Sequence, residues 1–416
     1  MPPSAQPVAA DERIELIDAL RGFALAGVLL ANLRDFSLYV FLDDAARAAL
    51  PAPAAQRWLE MLLSATVDAK AMTVFALLFG VGFALQLERA SRHDDAGLRA
   101  RRRYAWRLLL LLGFGLLHAA LWYGDILRYY AVFGLLLLPL AGWRPRTLAW
   151  LGVFVALAAT ALMQPFMKPW SAQFASAEQA NAAALAALSS PQWPTMLAGN
   201  AEHDLWVHAT AWSLPFFTLG RLLLGMAIGR AGLLQDPQAH LRRWIVLLAW
   251  TLPIGALLCV YFLLRDYGGL GLELFGLRGD AARMLSRLLR NTLYLSLGLA
   301  YMAGFVLLFQ RPGARRWLIW LAPVGRMALS NYLAQTALGL AIFYGIGLGV
   351  GPRYGLWAVL AAFVAIFAAQ IGFSRWWLRH YRYGPLEWLW RCLTYRRWLP
   401  LRPCPADEPD ADAAKA

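Results

Sequence analysis

The chain has little charge for its length. Only 15% of its 416 residues are Asp, Glu, Lys or Arg, whereas 60% are hydrophobic. Soluble domains carry about 25% charged residues, so this composition excludes an ordinary soluble protein. The apolar residues come in blocks near the roughly 20 residues that a membrane-spanning helix requires. We therefore predict an all-α fold, a polytopic transmembrane helical bundle.

Cysteine is scarce too, and several common motifs are missing. Cys259, Cys392 and Cys404 have neither metal-ligand spacing nor the pattern of a disulfide framework. The chain has no Walker phosphate loop, which argues against ATP-driven transport within this chain. Its His, Cys and carboxylate residues show no metal spacing either, so we expect no metal cofactor.

Ten spans fit the apolar blocks, and they divide the chain into four segments. The predicted spans are 16–33, 71–88, 104–122, 126–142, 147–164, 206–229, 244–264, 288–309, 318–345 and 355–373. The predicted segments are an N-terminal cytoplasmic segment 1–15, a transmembrane domain 16–373 with an external loop 165–205, a basic Trp-rich interfacial segment 374–401 and a disordered tail 402–416.

The net charge of +14 lies mainly in the short connections between the spans. Of the 39 Lys and Arg residues, 24 lie in the two ends of the chain and in every second connection between spans. Another 10 lie in the remaining connections. The positive-inside rule then places both termini in the cytoplasm. Because the excess charge sets topology, we expect membrane lipid and not nucleic acid as the partner.

The first span contains three polar residues that a membrane helix rarely keeps. Arg21 and Asn32 are eleven residues apart, so they share one helix face about 16 Å apart, and Asp18 lies one turn before Arg21. Ionisable residues within a membrane usually face a partner or a wet cavity. The pattern indicates either an internal ion pair that orients the helix or one wall of a cavity.

Two further arginines are predicted at the same inner depth as Arg21. Arg221 lies in the sixth span, and Arg326 begins the polar stretch that leads to Asn331. A guanidinium can bind two oxygens of a phosphate or a carboxylate. These residues, with Asp18, predict an inner site for an anion.

A second polar group is predicted at the outer ends of the spans. Asn32, Lys70, His118, Asp125 and Arg128 all fall there. An imidazole can act as a general base near neutral pH, and a carboxylate can hold its tautomer. The alternative is that His118 is a hydrogen-bonded packing residue.

Two helices are predicted outside the main spans. The Ala-rich stretch "SAEQANAAALAALSS" favours an interfacial helix within the external loop. The stretch "YGPLEWLWRCLTYRRW" favours another in the Trp-rich segment, where Glu387 and Arg391 are spaced for an ion pair along the helix.

Six motifs occur in the order found in the YeiB-like family of bacterial inner-membrane proteins (domain-of-unknown-function family 418), which the chain resembles from about residue 13 to 396. They are "RIELIDALRGFALAGVLLANL", "AMTVFALLFGVGFALQLER", "RRRYAWRLLLLLGFGLLHAALWYGDILRYYAVFGLLLL", "LGMAIGRAG", "VGRMALSNYLAQT" and "YGPLEWLWRCLTY". The resemblance implies a multi-pass protein of the bacterial inner membrane.

The resemblance extends distantly to the transmembrane acyltransferases, which include the acyltransferase type 3 and heparan-alpha-glucosaminide N-acetyltransferase families. Those proteins move an acyl group from cytoplasmic acyl-CoA to an acceptor, usually a sugar, on the far side. In the type 3 proteins, an Arg in the first span is followed eleven positions later by His. Here that interval joins Arg21 to Asn32, and an amide cannot take a proton as a base. We therefore expect His118 to supply the base.

The hypothesis that we favour is an acyltransferase with acyl-CoA as co-substrate. His118, oriented by Asp125, would activate the acceptor, and Asn32 or Lys70 would stabilise the oxyanion. Arg128 would join Lys70 in binding the acceptor, which is a sugar, a lipid or a small metabolite. The donor would bind the inner residues Asp18, Arg21, Arg221, Arg326 and Asn331.

Two alternatives stay open at this point. One is a transporter or flippase that uses the same cations to hold an anionic metabolite or lipid. The other is a non-catalytic membrane partner whose polar residues only lock helices together. A homodimer also stays open. Dependence on CoA distinguishes an acyltransferase from a transporter, because a transporter need not bind CoA.

Overall fold

A computed structural model describes residues 14–93, 97–268 and 277–402. In these ranges the fold is all-α, as predicted. Of the predicted segment 1–15, only residues 14 and 15 are described. Of the predicted tail 402–416, only residue 402 is described. The helices are α1 Glu15–Phe36, α2 Asp44–Ala48, α3 Pro53–Thr66, α4 Lys70–His93, α5 Gly97–Leu121, α6 Leu127–Leu137, α7 Pro145–Val153, α8 Thr160–Ser171, α9 Ala177–Leu188, α10 Trp193–Thr210, α11 Ser213–Arg230, α12 Leu241–Asp266, α13 Gly279–Phe309, α14 Pro312–Leu318, α15 Ala322–Arg326, α16 Ala328–Phe343, α17 Leu356–His380 and α18 Pro385–Tyr395.

Several of these helices can cross a membrane. Among the described residues, seven helical segments are long and apolar enough, and two of them join neighbouring helices, α3 with α4 and α7 with α8. α10 with α11 makes an eighth if this pair, bent by 73°, counts as one broken span. The shorter apolar helices α6 and α16 fall in two of the ten predicted ranges. The number of spans that cross the bilayer and the side of the termini stay predictions.

The predicted external loop 165–205 is largely helical. The helix expected in its Ala-rich stretch is α9, whose start is closed by Ser176 and Gln179 in a capping box. This pairing satisfies backbone N–H groups that the first turn of a helix leaves without partners. α9 then packs against α10, which leads into the bend before α11.

α1 lies at the centre of the bundle, where it contacts α4, α15, α16 and α17. Its approach to α15 is so close that no side chain fits between the backbones. A Cβ atom on Gly325 would lie 1.9 Å from the carbonyl oxygen of Asp18, and one on Gly22 would lie 2.1 Å from that of Leu321. These two glycines therefore bring Arg326, which follows Gly325, next to the polar start of α1.

α4 and α11 also pack through glycines. A Cβ atom on Gly225 would lie 2.0 Å from the carbonyl oxygen of Leu77, and one on Gly80 would lie 2.2 Å from that of Leu222. Small residues at a membrane helix interface allow this close approach. The contact fixes the polar residues of α11 against the first turns of α4.

The C-terminal helix α18 packs against α5 and α16 and holds the start of α16. Glu387 accepts hydrogen bonds from the backbone N–H groups of Leu329, at 2.7 Å, and Ser330, at 3.1 Å, and from the Ser330 hydroxyl at 2.5 Å. The predicted ion pair between Glu387 and Arg391 is wrong, because Arg391 lies over the ring of Tyr383 instead. The first N–H groups of a helix lack partners within it, and the half-buried Glu387 carboxylate accepts hydrogen bonds from two of them.

We expect Glu387→Ala to lower stability by about 1–2 kcal/mol, the usual effect of removing a helix cap. Burial raises the pKa of the Glu387 carboxyl, and hydrogen bonds from Ser330 oppose that rise. The wild type should therefore lose stability as pH rises through the raised pKa, and Glu387→Gln should lack this dependence. Melting temperatures in detergent across pH measure both effects. Equal melting of Glu387→Ala and wild type would contradict the capping role.

Candidate functional site

A buried histidine joins a carboxylate to a hydroxyl. His118 Nδ1 lies 2.7 Å from Asp125 Oδ1, and Nε2 lies 2.7 Å from Thr336 Oγ1. All three residues are at most 4% exposed. Because an ionised carboxylate only accepts, we assign the proton to Nδ1, which leaves Nε2 to accept from the Thr336 hydroxyl. This order of hydroxyl, imidazole and carboxylate is the arrangement in which a base activates a hydroxyl.

Asp125 is fixed by the turn between α5 and α6. It accepts hydrogen bonds from the backbone N–H groups of Leu127 and Arg128 at 3.2 and 2.9 Å, and from Arg128 Nε at 3.2 Å. Arg128 also binds both carboxylate oxygens of Asp204 through Nη1 and Nη2, at 3.0 and 2.8 Å. Arg128, which we expected to bind substrate, thus pairs with two carboxylates of the protein itself. One of them is Asp125, which it holds in position.

A small enclosed cavity lies beside this histidine. Its polar lining consists of Asn32, Tyr130 and Tyr332, and its apolar lining of Val28, Met72, Phe75, Gly124 and Ile126. It has room for about one water molecule. The ring of Tyr332 is 5.0 Å from that of His118, and its buried hydroxyl has no hydrogen-bond partner among the described residues. Tyr332 therefore connects Asn32 with His118, two of the residues that the sequence predicts in one site.

We call His118, Asp125, Thr336 and Tyr332 the histidine cluster. We call a second group, at the start of α1, the arginine cluster: Asp18, Arg21, Arg107, Arg326 and Arg391. Arg21 Nη1 lies 3.3 Å from Asp18 Oδ1, and the Arg21 side chain is 30% exposed. Arg326 has a buried Nε without a hydrogen-bond partner in the described part of the chain. Four guanidiniums and one carboxylate make this a strongly positive region.

Arg107 enters the arginine cluster from α5. Its guanidinium lies 3.9 Å from the ring centre of Trp390, within electrostatic range of Arg21 and Arg391. The Trp390 indole N–H also donates to the Arg107 carbonyl at 3.0 Å. Eleven residues separate Arg107 from His118 along α5, or about 16 Å. The two clusters therefore lie about three helical turns apart.

Asn331 has a role within the fold. Its amide nitrogen donates to the carbonyl of Val324 at 3.1 Å and to Ser374 Oγ at 3.0 Å. A side-chain amide has two N–H donors, so both are already engaged. These bonds hold the break between α15 and α16 against α17.

Arg221 lies apart from the arginine cluster. Its Nε donates to Thr73 Oγ1 at 2.7 Å, whereas a Cβ on Gly82 would lie 3.0 Å from Arg21 Nη2. Thr73 and Gly82 are nine residues apart on α4, or about 13 Å. The expected grouping of Arg221 with Arg21 and Arg326 is therefore corrected. The bend between α10 and α11 is the reason, because it starts the span at Ser213 and puts Arg221 in its middle.

Lys70 and Arg221 both lie near Tyr294, and Arg221 bonds to Thr73 on the helix that Lys70 begins. Lys70 begins α4, one turn before Thr73, and is 1% exposed. Its Nζ donates to the carbonyl of Ser64 and lies 5.5 Å from the ring centre of Tyr294. We call Lys70 and Arg221 the buried cation pair.

Sequence reasoning missed four residues that now join the predicted ones: Thr336, Tyr332, Arg107 and Arg391. Thr336 and Tyr332 stand in the motif "VGRMALSNYLAQT", at a helical spacing that puts them on one face. That spacing was a usable signal. Arg107 and Arg391 looked like ordinary basic residues of cytoplasmic connections, and only the packing of α18 against α5 distinguishes them.

Comparisons with known proteins identify the family of this chain. The sequence model of the family described as "Protein of unknown function (DUF418)" matches residues 228–397. YxaH of Bacillus subtilis is 30% identical over 96% of this chain and 98% of its own length. YeiB of Escherichia coli is 30% identical over 92% of this chain and 97% of its own. No solved structure matches. Since the similarity covers nearly the whole of each chain, this protein belongs to the YeiB-like DUF418 family.

Proposed function

We propose that the protein is a membrane-bound acyltransferase of the bacterial inner membrane, which moves an acyl group from cytoplasmic acyl-CoA to an acceptor at the outer face. The observation that carries the proposal is His118, held by Asp125 on one ring nitrogen and bonded to a hydroxyl on the other. A buried base that already holds a hydroxyl needs little rearrangement to activate one.

In the proposed reaction, the acceptor hydroxyl or amine takes the place of the Thr336 hydroxyl at His118 Nε2. It attacks the thioester carbonyl as Nε2 takes its proton, so that the new bond to the acyl carbon forms and the carbon–sulfur bond breaks. The imidazolium then returns the proton to the CoA thiolate. Asn32 and the Tyr332 hydroxyl, which line the adjacent cavity, are the donors proposed for the oxyanion.

The arginine cluster is the proposed site for the phosphates of acyl-CoA. Arginine forks suit phosphate oxygens, and four such side chains outnumber the single carboxylate among them. The extended pantetheine arm of CoA would then run along α1 and α5 toward the histidine cluster. The spacing of about 16 Å between the clusters is compatible with that arm.

We expect Arg21→Ala to weaken acyl-CoA binding by about 1.5–3 kcal/mol, the range for charge-assisted hydrogen bonds. Arg21→Lys should also lose affinity, because an ammonium cannot bind two oxygens in a fork. Titration calorimetry of the purified protein with acetyl-CoA measures this. The matched control is Arg315→Gln, an exposed arginine paired with Glu15. Unchanged binding in folded Arg21→Ala would remove the arginine cluster from the donor site.

A transporter of an anionic metabolite or lipid is the second candidate. The observation that favours it is the bend of 73° between α10 and α11, since broken helices bind substrate in many transporters. CoA separates the two. Uptake of an anion by vesicles that contain the protein, with no binding of acetyl-CoA, would support the transporter and overturn the acyltransferase.

A further inference from the structure

Arg221 is a fully buried charge whose contacts are all neutral. It is 0% exposed, and its bonds go to Thr73 Oγ1 and to the carbonyl oxygen of Phe217, at 2.7 and 2.9 Å. The guanidinium carbon lies 3.4 Å from the ring centre of Phe217. Its buried Nη2 has no hydrogen-bond partner among the described residues. One terminal nitrogen of the Arg221 guanidinium therefore has no hydrogen-bond acceptor among the described residues.

Lys70, the other member of the buried cation pair, also has neutral contacts. Asp68, a carboxylate within electrostatic range of Lys70, is engaged by another cation, and so is Asp266 on the neighbouring helix α12. Asp68 binds Arg34 at 2.5 Å, and Asp266 binds Arg290 at 2.9 Å. Neither cation forms an ion pair with a carboxylate among the described residues.

We infer that the buried cation pair binds an oxyanion group, a carboxylate or a phosphate, carried by the acyl acceptor. This inference rests on the proposed function. A buried charge is costly unless an opposite charge meets it, and an ionisable residue inside a membrane usually marks a binding site or pathway. A guanidinium fork and a nearby ammonium are the groups that bind such oxygens.

The position of the pair agrees with binding of an acceptor. Tyr130 lies within electrostatic range of Arg221 and stacks on Phe75, at 6.0 Å between ring centres. Tyr130, Phe75 and Met72 all line the cavity that also touches Tyr332. The cavity holds only about one water molecule, so its aromatic lining must move for an acceptor bound at the pair to reach the histidine cluster.

The test is anion binding by the full-length protein in neutral detergent. The probes are inorganic phosphate and acetate, each titrated at constant ionic strength with chloride as the balancing anion. We expect both probes to raise the melting temperature of the wild type. Arg221→Gln and Lys70→Met should each weaken the affinity about tenfold or more, as expected for a charge-assisted hydrogen bond. Arg283→Gln is the matched control, because Arg283 is exposed and already paired with Asp280; it should respond as the wild type does.

Lys70→Met keeps the experiment decisive if Arg221→Gln does not fold, because methionine keeps an apolar stem without the charge. A wild type that responds neither to these soluble anions nor to an anionic lipid overturns the inference. So does a response that persists in Lys70→Met and disappears in Arg21→Gln, since the anion would then sit in the arginine cluster.

A second arm of the experiment distinguishes two sources of the oxyanion. It uses the protein in nanodiscs of phosphatidylcholine with or without phosphatidylglycerol. A thermal shift with soluble phosphate or acetate points to a soluble acceptor. A shift that needs phosphatidylglycerol and Lys70 points to a lipid headgroup. Acetyl-CoA binding is measured on the same samples. No anion response with intact CoA binding overturns only this inference, whereas no CoA binding overturns the proposed function.

Discussion

His118→Ala is expected to lower the rate of acyl transfer by about 10²–10⁴-fold, the contribution of a positioned general base. Acetyl-CoA binding should stay nearly intact, because the arginine cluster lies about three helical turns away. The measurement is transfer of a labelled acetyl group from acetyl-CoA to cell-envelope material, with calorimetry and melting temperature on the same protein. His380→Ala is the control, since His380 is exposed and bonds only to the carbonyl of Trp376 in the described structure.

Variants of the neighbouring residues separate catalysis from packing. Asp125→Asn should keep the fold and lose much of the same rate enhancement, because an amide can present a donor where the imidazole N–H needs an acceptor. Asn32→His introduces the residue found at this interval in the acyltransferase type 3 family, which the sequence distantly resembles, and should partly rescue His118→Ala. If His118 only packs, its loss should lower melting temperature, CoA binding and turnover together. Full transfer by His118→Ala would remove it from the mechanism.

Gly325→Ala is expected to have the largest effect on stability. The added Cβ would lie 1.9 Å from the carbonyl oxygen of Asp18 and 2.7 Å from the backbone nitrogen of Gly22, so α15 must move away from α1. Overpacking of this kind costs about 1–3 kcal/mol and sometimes more, and backbone atoms cannot move aside as a side chain can. Since the same contact places Arg326 beside Asp18, acyl-CoA binding should fall as well.

The matched control for that prediction is Gly304→Ala in α13. A Cβ on Gly304 meets nothing within 4 Å, and alanine favours a helix over glycine by about 1 kcal/mol. This variant should melt at or above the wild type. Melting temperatures in one detergent compare the two. Equal melting of Gly325→Ala and Gly304→Ala would show that α1 and α15 can separate without cost.

The sequence predicts the helical fold well because hydrophobic length and helix type follow from composition and periodicity alone. The contact between His118 and Asp125 was also predictable, since seven residues and one tight turn join them. The bend between Thr210 and Ser213 was not, because the apolar pattern runs through it. A straight span therefore grouped Arg221 with Arg21, from which the structure separates it by about 13 Å along α4.

Partners brought together across the chain were beyond sequence reasoning. Thr336 is 218 positions from His118, and Asp204 is 76 positions from Arg128. A hydroxyl in a membrane helix usually bonds to its own backbone, so nothing local marks Thr336 as a partner for an imidazole. The packing of α18 is a similar case: the local spacing favoured an ion pair of Glu387 with Arg391, whereas the distant start of α16 offered buried N–H groups.

That packing sets an order for assembly during synthesis. Glu387 lies 57 positions after Ser330, so α16 and α17 are synthesised before the carboxylate that completes α16. Until then, the first backbone N–H groups of α16 have no partner from α18. The region from α15 to α17 can thus reach its final form only after nearly the whole chain has been translated.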